Sequence, residues 1–448
     1  MKTVLRIFAA LVLLILLLVI LSAVGLHLYL KTGRGGELVL GTVNSLIPGR
    51  IQAEDVSVSL LGQSVSFTEA ALLGPRGDVV LTSGGVRLEI DIFSLLNNRL
   101  VFNVISLKGP DIRLIATGKG QQLNLVQAFV EESPVQEPKE KEETGEGPTV
   151  IIENLAIEDG LLQYTDESAG TFVRLEDMDA QASLDLSDIA MGIAGSAAQA
   201  SLIMGGRTLE FAGMKIEGEY ERESLDILFA EVIHEGFRVS ARGEASDVLT
   251  KPRVDMVLEY GGELSGLMSL LEPDRRYTGR VSGRVGVRGA LENPQAEAVL
   301  EYEGGEVAGI QIDSLRVEMS LEDRIVELGE SVLQIASGTA AVSGKIDLRE
   351  AFPRGFIESE PDLDAVSYDL VSTLTNLDPG RFLTDAVAYP DSVSGRVEIA
   401  GRGVLPPNIA ASSDFMLHLK GNLPEFPATM SEIDIRGKAG LDYPLLTY

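Results

Sequence analysis

The sequence has no cysteine and no tryptophan, and its 448 residues include only three histidines. Without cysteine there is no disulfide framework and no thiolate metal site. His27, His234 and His418 lie far apart in the chain, and none sits in an HExxH or G-x-S-x-G pattern. Neither a zinc centre nor a serine-hydrolase elbow is therefore predicted. Positive charge is scarce as well. Thirty-seven Lys and Arg stand against 67 Asp and Glu, a net charge of −30. Such a field repels phosphate backbones, which argues against a nucleic-acid partner and against docking on anionic membrane through a basic surface. Gly338–Lys345 (GTAAVSGK) imitates a phosphate-binding loop, but five residues separate its glycines and Ile346 stands where a magnesium-binding hydroxyl belongs. Carboxylates are plentiful, yet nothing singles out a catalytic pair. The reading is a protein without catalytic residues, metal or cofactor, and not an enzyme.

One long apolar run is present. Ile7–Leu30 is interrupted only by Ser22, Gly25 and His27. As a helix it would span about 36 Å, enough for a bilayer core of about 30 Å. Lys2 and Arg6 precede it, and the region beyond Lys31 and Arg34 is acidic. The charge asymmetry places the N-terminus in the cytoplasm and the body outside. A signal peptide cleaved near Ala23–Gly25 is the rival, but the apolar run continues past that point.

Most of the remaining chain alternates apolar and polar residues. Around Tyr277–Leu348, Val281, Gly283, Val285 and Val287 are followed by Ala296, Ala298, Leu300 and Tyr302, then by Leu315, Val317, Met319 and Leu321. Period two gives each strand one apolar and one wet face. VSGRV recurs at Val393, 112 residues after Val281, and Val239 opens a weaker copy. Such repetition points to a solenoid or a long open sheet. Gly283, Gly286 and Gly289 read as bends or bulges within a strand.

Earlier in the chain, Gly36–Leu46 reads as a helix stopped by Pro48-Gly49, with strands over 51–60, 64–73, 79–92, 99–107 and 111–117. Asp91 caps one helical turn, and Gly109-Pro110 reads as a turn. A short helix is expected over Leu123–Val130, with Leu125, Val126, Phe129 and Val130 on one side. Glu131–Pro148 is charged and nearly devoid of apolar residues, so a disordered linker is expected there. Beyond it, Ile151–Glu167 reads as two strands joined by a turn at Asp159-Gly160. Further strands are read over 172–186, 197–204, 207–216, 224–231 and 254–260. Two helices are predicted, Glu263–Leu271 and Asp378–Ala388, the latter with Asp378 as cap and Pro379 at its first position.

The apolar anchor, the helix ending in Pro48–Arg50, the SLLG at Ser59–Gly62, the turn around Gly77-Asp78-Val79-Val80 and the RLVFNVISLKG of Arg99–Gly109 together resemble the N-terminal region of the TamB family of translocation and assembly module subunits. The likeness runs through about residue 117. The L-x-I-x-x-G-x-L-x-Y of Leu155–Tyr164 and the NLDPGRFL of Asn376–Leu383 are similar to the wider AsmA-like superfamily. The resemblance implies a mainly β fold: an N-terminal transmembrane helix followed by an elongated, repetitive, groove-like sheet with a few short helices. The implied organisation is a cytoplasmic tip and anchor over 1–31, an exported β region over 32–130, an acidic linker over 131–149 and a repetitive β-groove over 150–448. It also implies a place in the inner membrane, with the body in the periplasm.

The implied function is transport of phospholipid to the outer membrane along an apolar groove, with support of outer-membrane protein assembly and secretion. The implied partners are phospholipid acyl chains, the inner membrane through residues 7–30, and an outer-membrane TamA-like barrel reached by a C-terminal part beyond this chain. On this reading the groove lining includes Val254, Met256, Leu258, Leu300, Leu315, Val317 and Met319. Pattern alone leaves an open trough and a closed sandwich equally compatible with the strands. An AsmA-like envelope factor, or a scaffold whose strand edges template incoming strands without carrying lipid, stands as the alternative.

Overall fold

The computed structural model describes residues 33–45, 47–59, 62–91, 93–94, 99–117, 122–129, 149–185, 188–248, 250–271, 277–307, 309–336, 338–357, 360–381, 390–404, 409–421 and 432–442. The expected anchor over 7–30 and the linker over 131–148 lie outside these residues. No helix among the described residues is long and apolar enough to cross a membrane. The protein is mainly β, with few and short helices, and it divides into two units between Arg222 and Glu223.

The first unit begins with α1 (Gly33–Asn44), which starts three residues earlier than the sequence indicates. Its last residue ties it to the sheet: the Asn44 side-chain amide donates to the Ile51 carbonyl at 2.9 Å, and its carbonyl accepts from the Ile51 amide at 2.7 Å. The expected strand over 51–60 is two strands, β1 (Arg50–Gln52) and β2 (Asp55–Ser59), both paired with β3 (Ser64–Leu73). β4 (Val79–Asp91), β5 (Arg99–Lys108), β6 (Asp111–Thr117) and β7 (Gln122–Leu123) follow. Asp91 does cap the start of the turn after β4, accepting from the Phe93 amide at 2.9 Å.

The helix α2 (Asn124–Phe129) corrects the expected apolar face. Val126 and Phe129 are exposed, while Ala128 is fully buried beside Leu72 and Val80. The reason is backbone proximity. The Gly49 amide donates to the Ala128 carbonyl at 2.9 Å, and the backbones lie so close that a side chain at position 49 would strike those of Leu73 and Ala128. Asn124 is buried as well, accepting from the Ile115 amide and donating to the Arg113 carbonyl.

Two expected turns are not turns. β8 (Thr149–Asp166) runs unbroken for 18 residues through Asp159-Gly160, where the ladder only shifts register and Asp159 adopts φ +53°. β5 and β6 both run parallel to it, Lys108 opposite Glu158 and Asp111 opposite Leu161. Gly109-Pro110 is therefore a kink in one extended line. The two irregularities face each other: Gly109 donates to the Glu158 carbonyl, and Leu161 to that of Pro110. Gly, Pro and Asp serve a paired bulge as readily as a reversal. The unit is completed by β9 (Thr171–Asp185), β10 (Ala190–Met204), β11 (Arg207–Phe211) and β12 (Gly213–Glu221), all antiparallel to their partners.

The second unit is an antiparallel meander. Its strands are β13 (Ser224–His234), β14 (Phe237–Ser246), β15 (Arg253–Glu263), β16 (Arg280–Ala290), β17 (Gln295–Val307) and β18 (Ile310–Glu322). They continue with β19 (Ile325–Ile335), β20 (Gly338–Asp347), β21 (Ser367–Leu377), β22 (Ser392–Arg402), β23 (Ala410–Lys420) and β24 (Glu432–Asp442). Each pairs with the next in sequence. Two-residue hairpin loops at Glu235-Gly236 and Asp323-Arg324 have positive φ at both positions, which matches the right-handed strand twist. Arg324 is held in this conformation by donating to the carbonyls of Phe352 and Pro353. The helix α3 (Leu264–Leu271) joins β15 to β16, one residue shorter than expected. Of the second predicted helix, a 3-10 turn over Pro379–Arg381 is described; its amide at Gly380 donates to Asp378 as a cap should. Gly338–Lys345 lies within β20, a strand and not a phosphate loop.

Candidate functional site

Register fixes which side chains share a face in the second unit. Leu258 stands opposite Ala241 and Val285, Val285 opposite Ala298, and Ala298 opposite Met319. One row nearer the β14–β15 turn, Gly243, Met256, Val287, Ala296 and Leu321 line up. The same parity continues through Leu370, Ile399 and Leu417 to Ile435 on the later strands. This face is apolar or small at nearly every position.

The opposite face is charged and tied across strands. Arg288 pairs with Asp255, Arg242 with Glu259, Arg316 with Glu301 at 2.5 Å, and Lys438 with Asp414. These pairs are exposed and each contributes about 0–1 kcal/mol. Their larger effect is to keep this face wet, so the apolar side chains have one side left to occupy.

The apolar face is covered at its two strand ends. At one end α3 packs Leu264 and Leu267 on a cluster of Phe237, Val281 and Tyr302, each 4 % exposed. His234 joins this cap, with Nε2 2.9 Å from the Ser269 hydroxyl, which itself donates to the Gly266 carbonyl. Burial here raises the phenols of Tyr260 and Tyr302 above their ordinary value. At the other end Ala351, Ala365 and Val366 pack on Ile346, Leu348 and Phe352. Between the ends the side chains are half-buried: Met256, Leu258, Val285, Val287, Leu300 and Val317 keep solvent contact. A closed sandwich would bury this inner row fully.

The seven residues singled out from sequence therefore share one face but not one environment. Leu300 and Leu315 pack against the cluster under α3. Val254 lies at the far end beside Ala245 and Gly289. Met256, Leu258 and Val317 occupy the half-open centre, and Met319 there is 38 % exposed. The strand expected from VSGRV at Val393 is β22, whereas β23 and β24 were not expected, although Phe415, Leu417 and Leu419 alternate with Asp414, Met416 and His418 in a legible pattern.

The first unit carries a face of the same kind. Met191 stands opposite Leu184 and Tyr220, and Ile193 opposite Ala182 and Gly218. Met191, Ile193 and neighbouring Ile216 are all exposed, whereas Met178 and Ala197, in the middle of β9 and β10, are buried with Ile112. An open recess of 270 Å³ lies at the ends of these strands, lined by Glu153, Asp185, Glu219 and Glu221 among others. Among the described residues no three His, Asp or Glu side chains are placed to hold a metal.

His418 is an exposed strand residue on the charged face, its Nδ1 2.9 Å from Asp434. No protein-family model, curated protein or solved structure matches this chain.

Proposed function

We propose that the chain is a membrane-tethered envelope protein of the TamB type, whose apolar sheet faces form a groove for phospholipid acyl chains moving toward the outer membrane. The observation that carries this reading is the half-open centre of the second unit. Met256, Leu258, Val285 and Val317 form a continuous apolar surface, capped at its ends and uncapped between them among the described residues. Each methylene transferred from water to such a surface gains about 0.8 kcal/mol, so an acyl chain of ordinary length is held by many weak contacts. The charged opposite face keeps the loaded sheet soluble in water. The first unit's exposed Met191, Ile193 and Ile216 supply a second surface of the same chemistry.

The reading is tested by photocrosslinking. A photoreactive residue replacing Leu258 or Val285 in the full chain should yield lipid adducts in cells, while one replacing Arg284 or Glu301 on the charged face should not. Absence of lipid adducts at both faces overturns the proposal. Adducts to polypeptide in place of lipid would favour the strand-templating scaffold.

A further inference from the structure

The exposed apolar side chains include four methionines: Met191 at 44 %, Met204 at 57 %, Met319 at 38 % and Met416 at 49 %. In a chain without cysteine, thioethers are the side chains most open to two-electron oxidants. Their placement is not uniform. Met319 stands between Ala298 and Leu328 on the second unit's apolar face and still keeps 38 % of its surface exposed. Met191 lies near the start of β10 on the first unit's apolar face, and Met204 at the end of the same strand. Met416 is across from Arg396, on the charged face. Met178, by contrast, is 8 % exposed within a packed cluster.

We propose that Met319 and Met191 are oxidation sites whose conversion to sulfoxide closes the apolar faces to acyl chains. The step with hypochlorous acid balances: the thioether sulfur attacks chlorine, water supplies the oxygen, and the net products are sulfoxide, chloride and a proton. Sulfur loses two electrons and chlorine gains them. A flexible apolar side chain becomes a strong dipole. An acyl chain laid over it must desolvate that dipole without offering a hydrogen bond, which weakens binding at least about fivefold per site contacted. Sulfoxide reduction restores the surface, so the change is reversible. The consequence for lipid rests on the function proposed above; the site selectivity rests on exposure alone.

The test uses the full chain in detergent micelles, with a fluorescent acyl-chain phospholipid as probe and limiting hypochlorous acid. Peptide mass spectrometry should find sulfoxide at Met204, Met416, Met191 and Met319 well before Met178. Lipid bound after oxidation, divided by lipid bound before it, is compared within each variant. This ratio should fall at least fivefold in the unsubstituted chain and stay near one in a variant combining Met191→Leu, Met204→Leu, Met256→Leu and Met319→Leu. Met416→Leu alone should give no protection. Sulfoxide at Met319 and Met191 with an unchanged ratio overturns the proposed closure, and simultaneous oxidation of Met178 overturns the selectivity. Failure of the unoxidised chain to bind the probe would instead overturn the acyl-chain reading itself.

Discussion

The Tyr260 ring lies over Gly283, its direct partner across the β15–β16 ladder, and fills the space a Gly283 side chain would need. The arrangement recurs at Tyr368 over Gly401 and at Phe415 over Gly437, each pair again directly opposite in neighbouring strands. In all three an aromatic ring covers the backbone that a strand glycine leaves bare. The β15–β16 register is unbroken, so Gly283 marks ring clearance and not the bulge its spacing suggests. Gly283→Val should destabilise the second unit by about 1–3 kcal/mol through overpacking. Adding Tyr260→Ala should cost less than the two single changes summed, because the ring contact is then gone and only the Val299 carbonyl still meets the new side chain. Denaturant midpoints of the four proteins decide this; strict additivity would refute the contact.

A different set of glycines shapes the strands. Gly243, Gly344 and Gly395 have φ of +138°, +147° and +154°, and in each a side chain would run into the backbone of the neighbouring strand. All three belong to the apolar face, where missing side chains let strands kink and coil toward that face. Gly344→Ala should therefore cost about 1–3 kcal/mol. Gly286→Ala is the contrast: nothing lies within 4 Å of the added methyl. It should be neutral or stabilising by up to about 1 kcal/mol. Equal effects in thermal unfolding would remove the kink argument.

Much of this architecture was legible from alternation alone. Val281–Val287 and Ala296–Tyr302 reveal their inner face directly, because a strand exposes its pattern at period two whatever covers it. Reversals were harder to read. Asp159-Gly160 and Gly109-Pro110 carry turn chemistry, and only their mutual pairing shows that both chains run straight on. The buried side of α2 was illegible for a related reason: Ala128 is inside because Gly49 approaches it, a contact between residues 79 apart in sequence. Which part of the apolar face stays open depends on α3 and the 351–366 segment folding over the strand ends, and no local pattern encodes that.

Acid should loosen the second unit's far cap. Asp347 lies below its ordinary pKa of 3.8, first because the Arg349 side chain donates to it, then through the Arg349 amide. Its folded pKa is depressed, so its contribution to stability is complete above the ordinary value and is lost as pH falls through the lower folded value. Asp347→Asn should flatten the acid limb of the stability curve below pH 4 while leaving its neutral plateau little changed, since the pair is largely exposed. Unfolding midpoints measured from pH 2 to pH 7 in both proteins test this, and parallel curves would exclude Asp347 as a contributor.

The two sheet faces should respond oppositely to charge. Leu258→Asp places a carboxylate on the half-open apolar face, flanked by Ala241 and Val285, with no cation opposite it in either neighbouring strand. Each such change should reduce bound lipid severalfold by breaking the apolar surface, and Val317→Asp should do the same. Because Leu258 keeps solvent contact, the carboxylate can remain hydrated, and the cost to folding should stay within about 1–3 kcal/mol. Glu301→Lys on the other face removes one of the two exposed carboxylate partners of Arg316, Glu318 remaining, and should leave both the unfolding midpoint and the lipid little changed. Lipid extracted from equal amounts of each purified protein, quantified beside its unfolding midpoint, separates the two effects. If Glu301→Lys lowers lipid as much as Leu258→Asp while both remain folded, the bound lipid is not held by the apolar face.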